Sequence, residues 1–293
     1  MLGSIIGADV GNQDSKFYSH GKSFVVPSYA CRERIRELDN VKEEYHIKIS
    51  NEMWWTGELA KLEYGTREIE KNKLMRDSNL PLILTGISLM VENESLVSVV
   101  GSTPISDYSD TTLSLRDILR SVWNIEFCGK HKKLHVVDVL MMPEGASVGY
   151  ALVLDDNGRV HSKPELLRII DIGSKTVNFC TFRRMKYIAA ESGTLPFGTT
   201  SAQLETYRRV ASRSDIMPDD ATPDDEARHN LSIRIRSEIN KWWKTNWDEV
   251  HLAGGGALML QDHLDFPLVS NPQLATAIGN YRVGVAKWTT TQL

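Results

Sequence analysis

Asp9 and Asp171 each end a short apolar run and stand two residues before a glycine, in IIGADVGNQDSKF and RIIDIGSKTVNFC. Each is followed eight positions later by a phenylalanine, Phe17 and Phe179. A strand that ends in a glycine turn exposes backbone N–H groups that can bind phosphate oxygens. The aspartate before it can hold a hydrated Mg²⁺, which keeps waters and takes one or two carboxylates. Either turn alone reads as an ordinary β-turn. Two in equivalent places would clamp a polyphosphate and its metal from both sides. Lys16, on the strand returning from the first turn, could point back to the phosphates. Its plain reading is a solvated lysine. Gly254, Gly255 and Gly256 lie between a strand and a helix start, which suits an anion, or a base and ribose, or merely tight helix-on-sheet packing. Glu144 in LMMPEGAS stands where an apolar strand gives way to a helix. A carboxylate there can orient an attacking water or simply complement the helix dipole.

The bulk properties are compatible with such a site. The chain has 293 residues, 41% hydrophobic and 25% charged, enough for two ordinary domains. A net charge of −4 argues against a uniformly basic nucleic-acid binder, so no direct nucleic-acid contact is expected. No apolar run is long enough for a membrane span, and the start does not read as a secretion signal. Cys31, Cys128 and Cys180 form no CxxC pair and read as plain thiols of a reducing cytoplasm. No G-x-x-x-x-G-K-[ST] occurs, which sets aside a P-loop enzyme.

The elements that must carry these residues repeat a plan. SIIGADV, SKFYSH and KSFVVPS read as a three-strand meander. YHIKIS and MWWTGELA follow as smaller strands, or a strand and a turn. Residues 66–77 are helix-compatible, and a helix is expected from Asn79 to the Met90 region. SLVSVVG reads as a strand, TTLSLRDILRSV as a helix on Leu115, Ile118 and Leu119, and KLHVVDVLMM as a strand covered on both faces. In the second half LLRIID, TVNFCTF and KYIAAE read as strands and GTTSAQLETYRRVA as a helix. An acidic loop precedes an amphipathic helix bearing Leu231, Ile235, Ile239, Trp242 and Trp243. The pairs Trp54–Trp55 and Trp242–Trp243 are expected mostly in the core.

The pieces ADVGNQDSK, PEGAS, DIGSKT and AGGGA, in this order, resemble the actin-like ATPase superfamily, most closely the bacterial ParM-like plasmid-segregation actins. The resemblance implies an α/β, duplicated ribonuclease H-like fold with five-stranded sheets and a nucleotide cleft. Domain I would span 1–165 with 281–293 returning to it, and domain II 166–280. The short spacing from Asp171 to Gly254 implies a reduced outer subdomain in domain II. It further implies an ATPase, or GTPase, that forms a filament in the bacterial cytoplasm. A ParR-like adaptor would link that filament to a plasmid centromere, with no membrane involved. On this model Asp9 and Asp171 position Mg²⁺. Gly11, Asn12 and Lys16 hold phosphates from one side, and Gly173, Ser174 and Thr176 from the other. Glu144 positions the hydrolytic water, and Gly254–Gly256 lie against the adenosine. Ser174-Lys175 and Asn178 depart from the common pattern, where glycines and an aspartate stand. Two alternatives stay open. One is a small-molecule kinase of the same superfold, although Gln13 and Val177 stand where pantothenate kinases of similar opening have threonine. The other is a non-polymerising nucleotide sensor.

Overall fold

The computed structural model describes residues 3–34, 45–66, 76–108, 116–210, 221–244 and 246–289. Leu115, most of the segment 66–77, the core of the acidic loop and the final residues 290–293 lie outside them.

The expected meander forms as β1 (Ser4–Val10), β2 (Asp14–Ser19) and β3 (Lys22–Pro27). Short strands β4 (Ala30–Arg32), β5 (His46–Ile49) and β6 (Glu52–Thr56) follow. MWWTGELA divides into β6 and a helix, α1 (Gly57–Leu62). Helix α2 (Asn79–Met90) starts at the expected residue; Pro81 is tolerated because it lies in the first turn. Strand β7 (Ser95–Thr103) is followed by β8 (Val122–Phe127) and the 14-residue β9 (Lys130–Pro143), with a helical turn at 116–119 before β8.

These strands make one nine-stranded sheet in the order β3-β2-β1-β7-β9-β8-β5-β6-β4. Strand β9 joins its two parts. Its second half runs parallel to β7, and its first half antiparallel to β8. The implied five-stranded sheet is thus present as β3-β2-β1-β7-β9, extended by a four-stranded wing. β9 is not covered on both faces as expected. Burial alternates along it, and Val137 is exposed.

Helix α3 (Ala146–Val153) leads into the second half. There β10 (Leu166–Ile172), β11 (Val177–Arg183), β12 (Lys186–Tyr187), β13 (Gly193–Leu195) and β14 (Val250–Ala253) form a five-stranded sheet. The strand expected over KYIAAE stops at Tyr187, and a 3₁₀ turn takes Ala189–Glu191. Helices α4 (Thr199–Val210), α5 (Asp225–Trp243), α6 (Gly255–Leu264) and α7 (Ala275–Thr289) complete the described elements. Asp224 caps α5 by accepting from the Ala227 N–H. Leu231, Ile235, Ile239 and Trp243 are buried as expected, and so are Trp54 and Trp55. Trp242 is 43% exposed, because it sits at the edge of the stripe with one face against Phe179.

Two helices hold the halves together. α7 lies on β1, β2 and β7 and packs closely along α3, while α3 also contacts β10. The approach is possible because small residues meet there. A Cβ on Gly279 would fall 1.8 Å from the Ser147 carbonyl oxygen, and one on Gly7 would fall 2.0 Å from that of Ala277. Buried Asn280 accepts from Ser147 Oγ at 2.6 Å and donates to the Ala8 carbonyl at 2.8 Å. Because the obstructing atoms at Gly279 are backbone, Gly279→Ala must push the helices apart. It should cost about 1–3 kcal/mol of stability, read as a fall in thermal midpoint. An unchanged midpoint would show that this contact is not tight.

Candidate functional site: a carboxylate-lined cleft

The two aspartate–glycine turns are built in the same register and closed by the same bond. In the first hairpin Asp9 pairs with Lys16 and Ala8 with Phe17. In the second Asp171 pairs with Asn178 and Ile170 with Phe179. The Gly11 N–H closes its turn on the Asp14 carbonyl at 3.1 Å; the Gly173 N–H closes on Thr176 at 2.9 Å. The phenylalanines are fully buried, each in its own core. Phe17 lies against Gly86 of α2, and Phe179 against Gly193. The repeated spacing therefore records one hairpin used twice, with an aspartate at its mouth and an aromatic anchor beneath.

The turns face each other across a cleft of about 320 Å³. Its walls include every candidate residue: Asp9, Gly11, Asn12, Lys16, Glu144, Asp171, Gly173, Ser174, Thr176 and Gly254–Gly256. Sequence reasoning missed others. Thr199 and Gln203 come from α4, Leu258 and Met259 from α6, and Thr276 from α7. Thr276 donates to Asp171 Oδ2 at 3.3 Å. Nothing local marks these residues, since only the packing of three helices brings them to the cleft.

Second-turn geometry is set by α4. The N–H groups of Thr199 and Thr200 donate to the carbonyls of Gly173 and Ser174. In a trans peptide C=O and N–H point oppositely. The amides of Ser174 and Lys175 are therefore turned away from α4. In the first turn, Asn12 Oδ1 accepts from buried Arg76 at 2.6 Å, which fixes the Asn12 side chain. The three glycines divide their work. Gly254 has φ +84, and a Cβ there would meet the Ile172 carbonyl and Asp171 Oδ1. A Cβ on Gly256 would meet Ile172 and Thr199, whereas Gly255 faces open space. Two glycines thus satisfy packing and leave Gly255 as the flat surface.

Electrostatics dominates the cleft floor. Asp9, Glu144 and Asp171 are only 9%, 7% and 8% exposed. Lys16 Nζ lies 3.5 Å from Asp9 Oδ2 and donates to the Asp14 carbonyl at 3.2 Å. It points back to the turn, the orientation that two-residue alternation allows. Burial, then the nearby charges of Glu144 and Asp9, push the Asp171 carboxyl up to about 7; Lys16 and Thr276 oppose this only in part. Among the described residues no three His, Cys, Asp or Glu side chains come together tightly enough to hold a metal by themselves. The donor set fits instead an ion that brings its own waters and shares a ligand's phosphates, the habit of Mg²⁺.

Comparison with known proteins agrees with this architecture. Residues 7–146 match the family model for the N-terminal domain of actin-like proteins. A 15-stranded ParM filament from Clostridium botulinum superimposes with a TM-score of 0.80 at 21% identity, covering 97% of this chain and 99% of that one. An archaeal actin homologue in complex with ADP gives 0.75 at 17% identity, covering 96% and 98%. ParM of Bacillus thuringiensis in apo form gives 0.62 at 17%, covering 100% and 98%. No curated protein sequence matches the chain. No helix among the described residues is long and apolar enough to cross a membrane.

The raised Asp171 carboxyl has a consequence for stability. Between its unfolded value of 3.8 and about 7 the native state binds more protons than the unfolded state, so stability falls as pH rises through that window. Asp171→Asn removes the penalty. Its unfolding free energy in the ligand-free protein should match wild type near pH 4 and exceed it at pH 8 by roughly 2–4 kcal/mol. A difference independent of pH would contradict the carboxylate cluster. Along nearly its whole length the chain has the fold of the actin-like proteins, and over residues 7–146 it matches their N-terminal domain.

Proposed function

We propose that the protein is a nucleotide-dependent, filament-forming ATPase of ParM type that binds one Mg²⁺-nucleotide in this cleft. The single observation that carries the reading is the pair of identical turns facing each other with three carboxylates and a lysine between them. Chains with this fold include a filament and an ADP complex, which supports both halves of the proposal. The domain division proposed is 1–165 with 281–293, and 166–280.

In this reading Asp9 and Asp171 would hold a hydrated Mg²⁺, which would supply positive charge to the phosphates and to the carboxylate cluster. Gly11 and Gly173 shape the turns, their own N–H groups being engaged in closing them. The donors to phosphate are the amides that follow, of Asn12 and of Ser174 and Lys175, with the hydroxyls of Ser174 and Thr176 beside them. Lys16 adds positive charge on the first side. Gly255 and the exposed face of Leu258, with Met259 and Gln203, take the base and ribose, ATP or GTP. Glu144 orients the water that attacks the terminal phosphoryl group and accepts its proton. The remaining steps are assembly into a homopolymer, hydrolysis-linked disassembly, and coupling through a ParR-like DNA-binding adaptor during plasmid segregation in a bacterial cytoplasm.

Right-angle light scattering with parallel phosphate release tests this. Mg²⁺-ATP or Mg²⁺-GTP should raise scattering above a critical concentration, with phosphate released later. Glu144→Ala should slow release by about 100-fold or more and leave nucleotide affinity near wild type. Tight nucleotide binding without scattering at any concentration would favour a kinase or a sensor instead.

A further inference from the structure

Asn178 belongs to the second half, yet its side chain is spent on the first. It is 2% exposed. Its Oδ1 receives the Thr194 hydroxyl at 2.7 Å and faces the Ile105 N–H at 3.4 Å. Thr194 Oγ1 in turn accepts the Ser106 N–H at 3.2 Å. Ile105 and Ser106 follow β7, so these bonds cross the seam between the halves. On its other side the Asn178 amide donates from Nδ2 to Glu144 Oε2 at 2.8 Å.

The orientation of this amide is not arbitrary. A backbone N–H can only donate, so the group facing Ile105 must be the oxygen. A flipped amide would set two donors together there, and at Glu144 would set two acceptors together. Nδ2, which can only donate, is therefore committed to Glu144. That requires Glu144 Oε2 to be an acceptor, the unprotonated oxygen of its carboxyl group. The backbone N–H of Glu144 is pinned as well, to the Thr103 carbonyl at 2.8 Å. In a buried site of low dielectric such a bond is strong when made and costly when one partner is lost.

We propose that Asn178, locked in place by Thr194, is the positioning residue for Glu144. It fixes the rotation of the carboxylate and holds Oε2, so that the other oxygen is the one presented to water. The proposal rests on the hydrolytic role given to Glu144 above. It adds that the carboxylate is aligned only while the seam is made, since Asn178 reaches Glu144 from the opposite half. Asn178 touches neither water nor phosphate in this account.

Asn178→Asp isolates the claim. It keeps the shape and the acceptor for Thr194 and Ile105, and replaces the donor toward Glu144 with a second carboxylate oxygen, so the uncharged Thr194→Val is read beside it. Single-turnover phosphate release from Mg²⁺-ATP should fall 10- to 100-fold while the nucleotide Kd stays within threefold. Thr194→Val tests the same lock without adding charge, should Asn178→Asp fail to fold. It should slow release about fivefold, and Thr194→Ser should restore it. Wild-type release in both Asn178→Asp and Thr194→Val, or release and affinity weakened in parallel, would overturn the positioning role. Glu144→Gln run alongside separates the two readings. Wild-type release in Glu144→Gln overturns the hydrolytic role of Glu144 and this proposal with it. Slow Glu144→Gln beside normal Asn178→Asp and Thr194→Val overturns this proposal alone.

Discussion

Three carboxylates with little solvent around them, and one lysine to share, are the constraint on which the rest depends. Asp9, Glu144 and Asp171 repel one another in a setting that water screens poorly. An arrangement of this kind weakens a bare protein and is relieved by a bound cation. The scaffold accordingly holds each group from its own rigid element. Asp9 and Asp171 sit at the ends of central strands, and Glu144 at a strand–helix junction. The cost is tolerated because the cores beneath are dense, each anchored by one buried phenylalanine under its turn.

Close approach does the remaining work. Glycines at 7, 86, 254, 256 and 279 each admit a neighbour where any Cβ would collide. They bring α7 onto β1, Phe17 under α2, and α6 against the second turn. The cleft is consequently a product of packing between elements far apart in sequence. Its two halves share an apolar core where α3 packs on β10 and β11, and beside it a seam of side-chain bonds, with Asn178 and Thr194 on one side and Ile105, Ser106 and Glu144 on the other.

How much was legible follows from what each feature requires. The turns were readable because aspartate, glycine and phenylalanine fall at fixed offsets within a single hairpin, so the register is local. Lys16 followed from strand alternation alone. Helix α7 was not readable: ATAIGNYRVGVAKWT has two glycines and little contrast between faces, and it is helical because β1 and α3 accept it. Strands β4 and β8 escaped because each is stabilised by pairing within the wing rather than by its own pattern. Thr276, Gln203 and Thr194 reach the site only through tertiary packing. The glycine triplet was ambiguous because two of its members answer to packing and one to the cleft. Asn178 was visible as a departure, but its bond to Glu144 needed coordinates.

The central claim is that both turns close on one polyphosphate. Calorimetric titration of the wild-type protein with ATP, ADP, AMP and adenosine, each with Mg²⁺, tests it most directly. A polyphosphate held by both turns gives one site per chain and an affinity that falls steeply as phosphates are removed, with the Mg²⁺ dependence lost at AMP. Two sites per chain, or an affinity for AMP and adenosine equal to that for ATP, would contradict it.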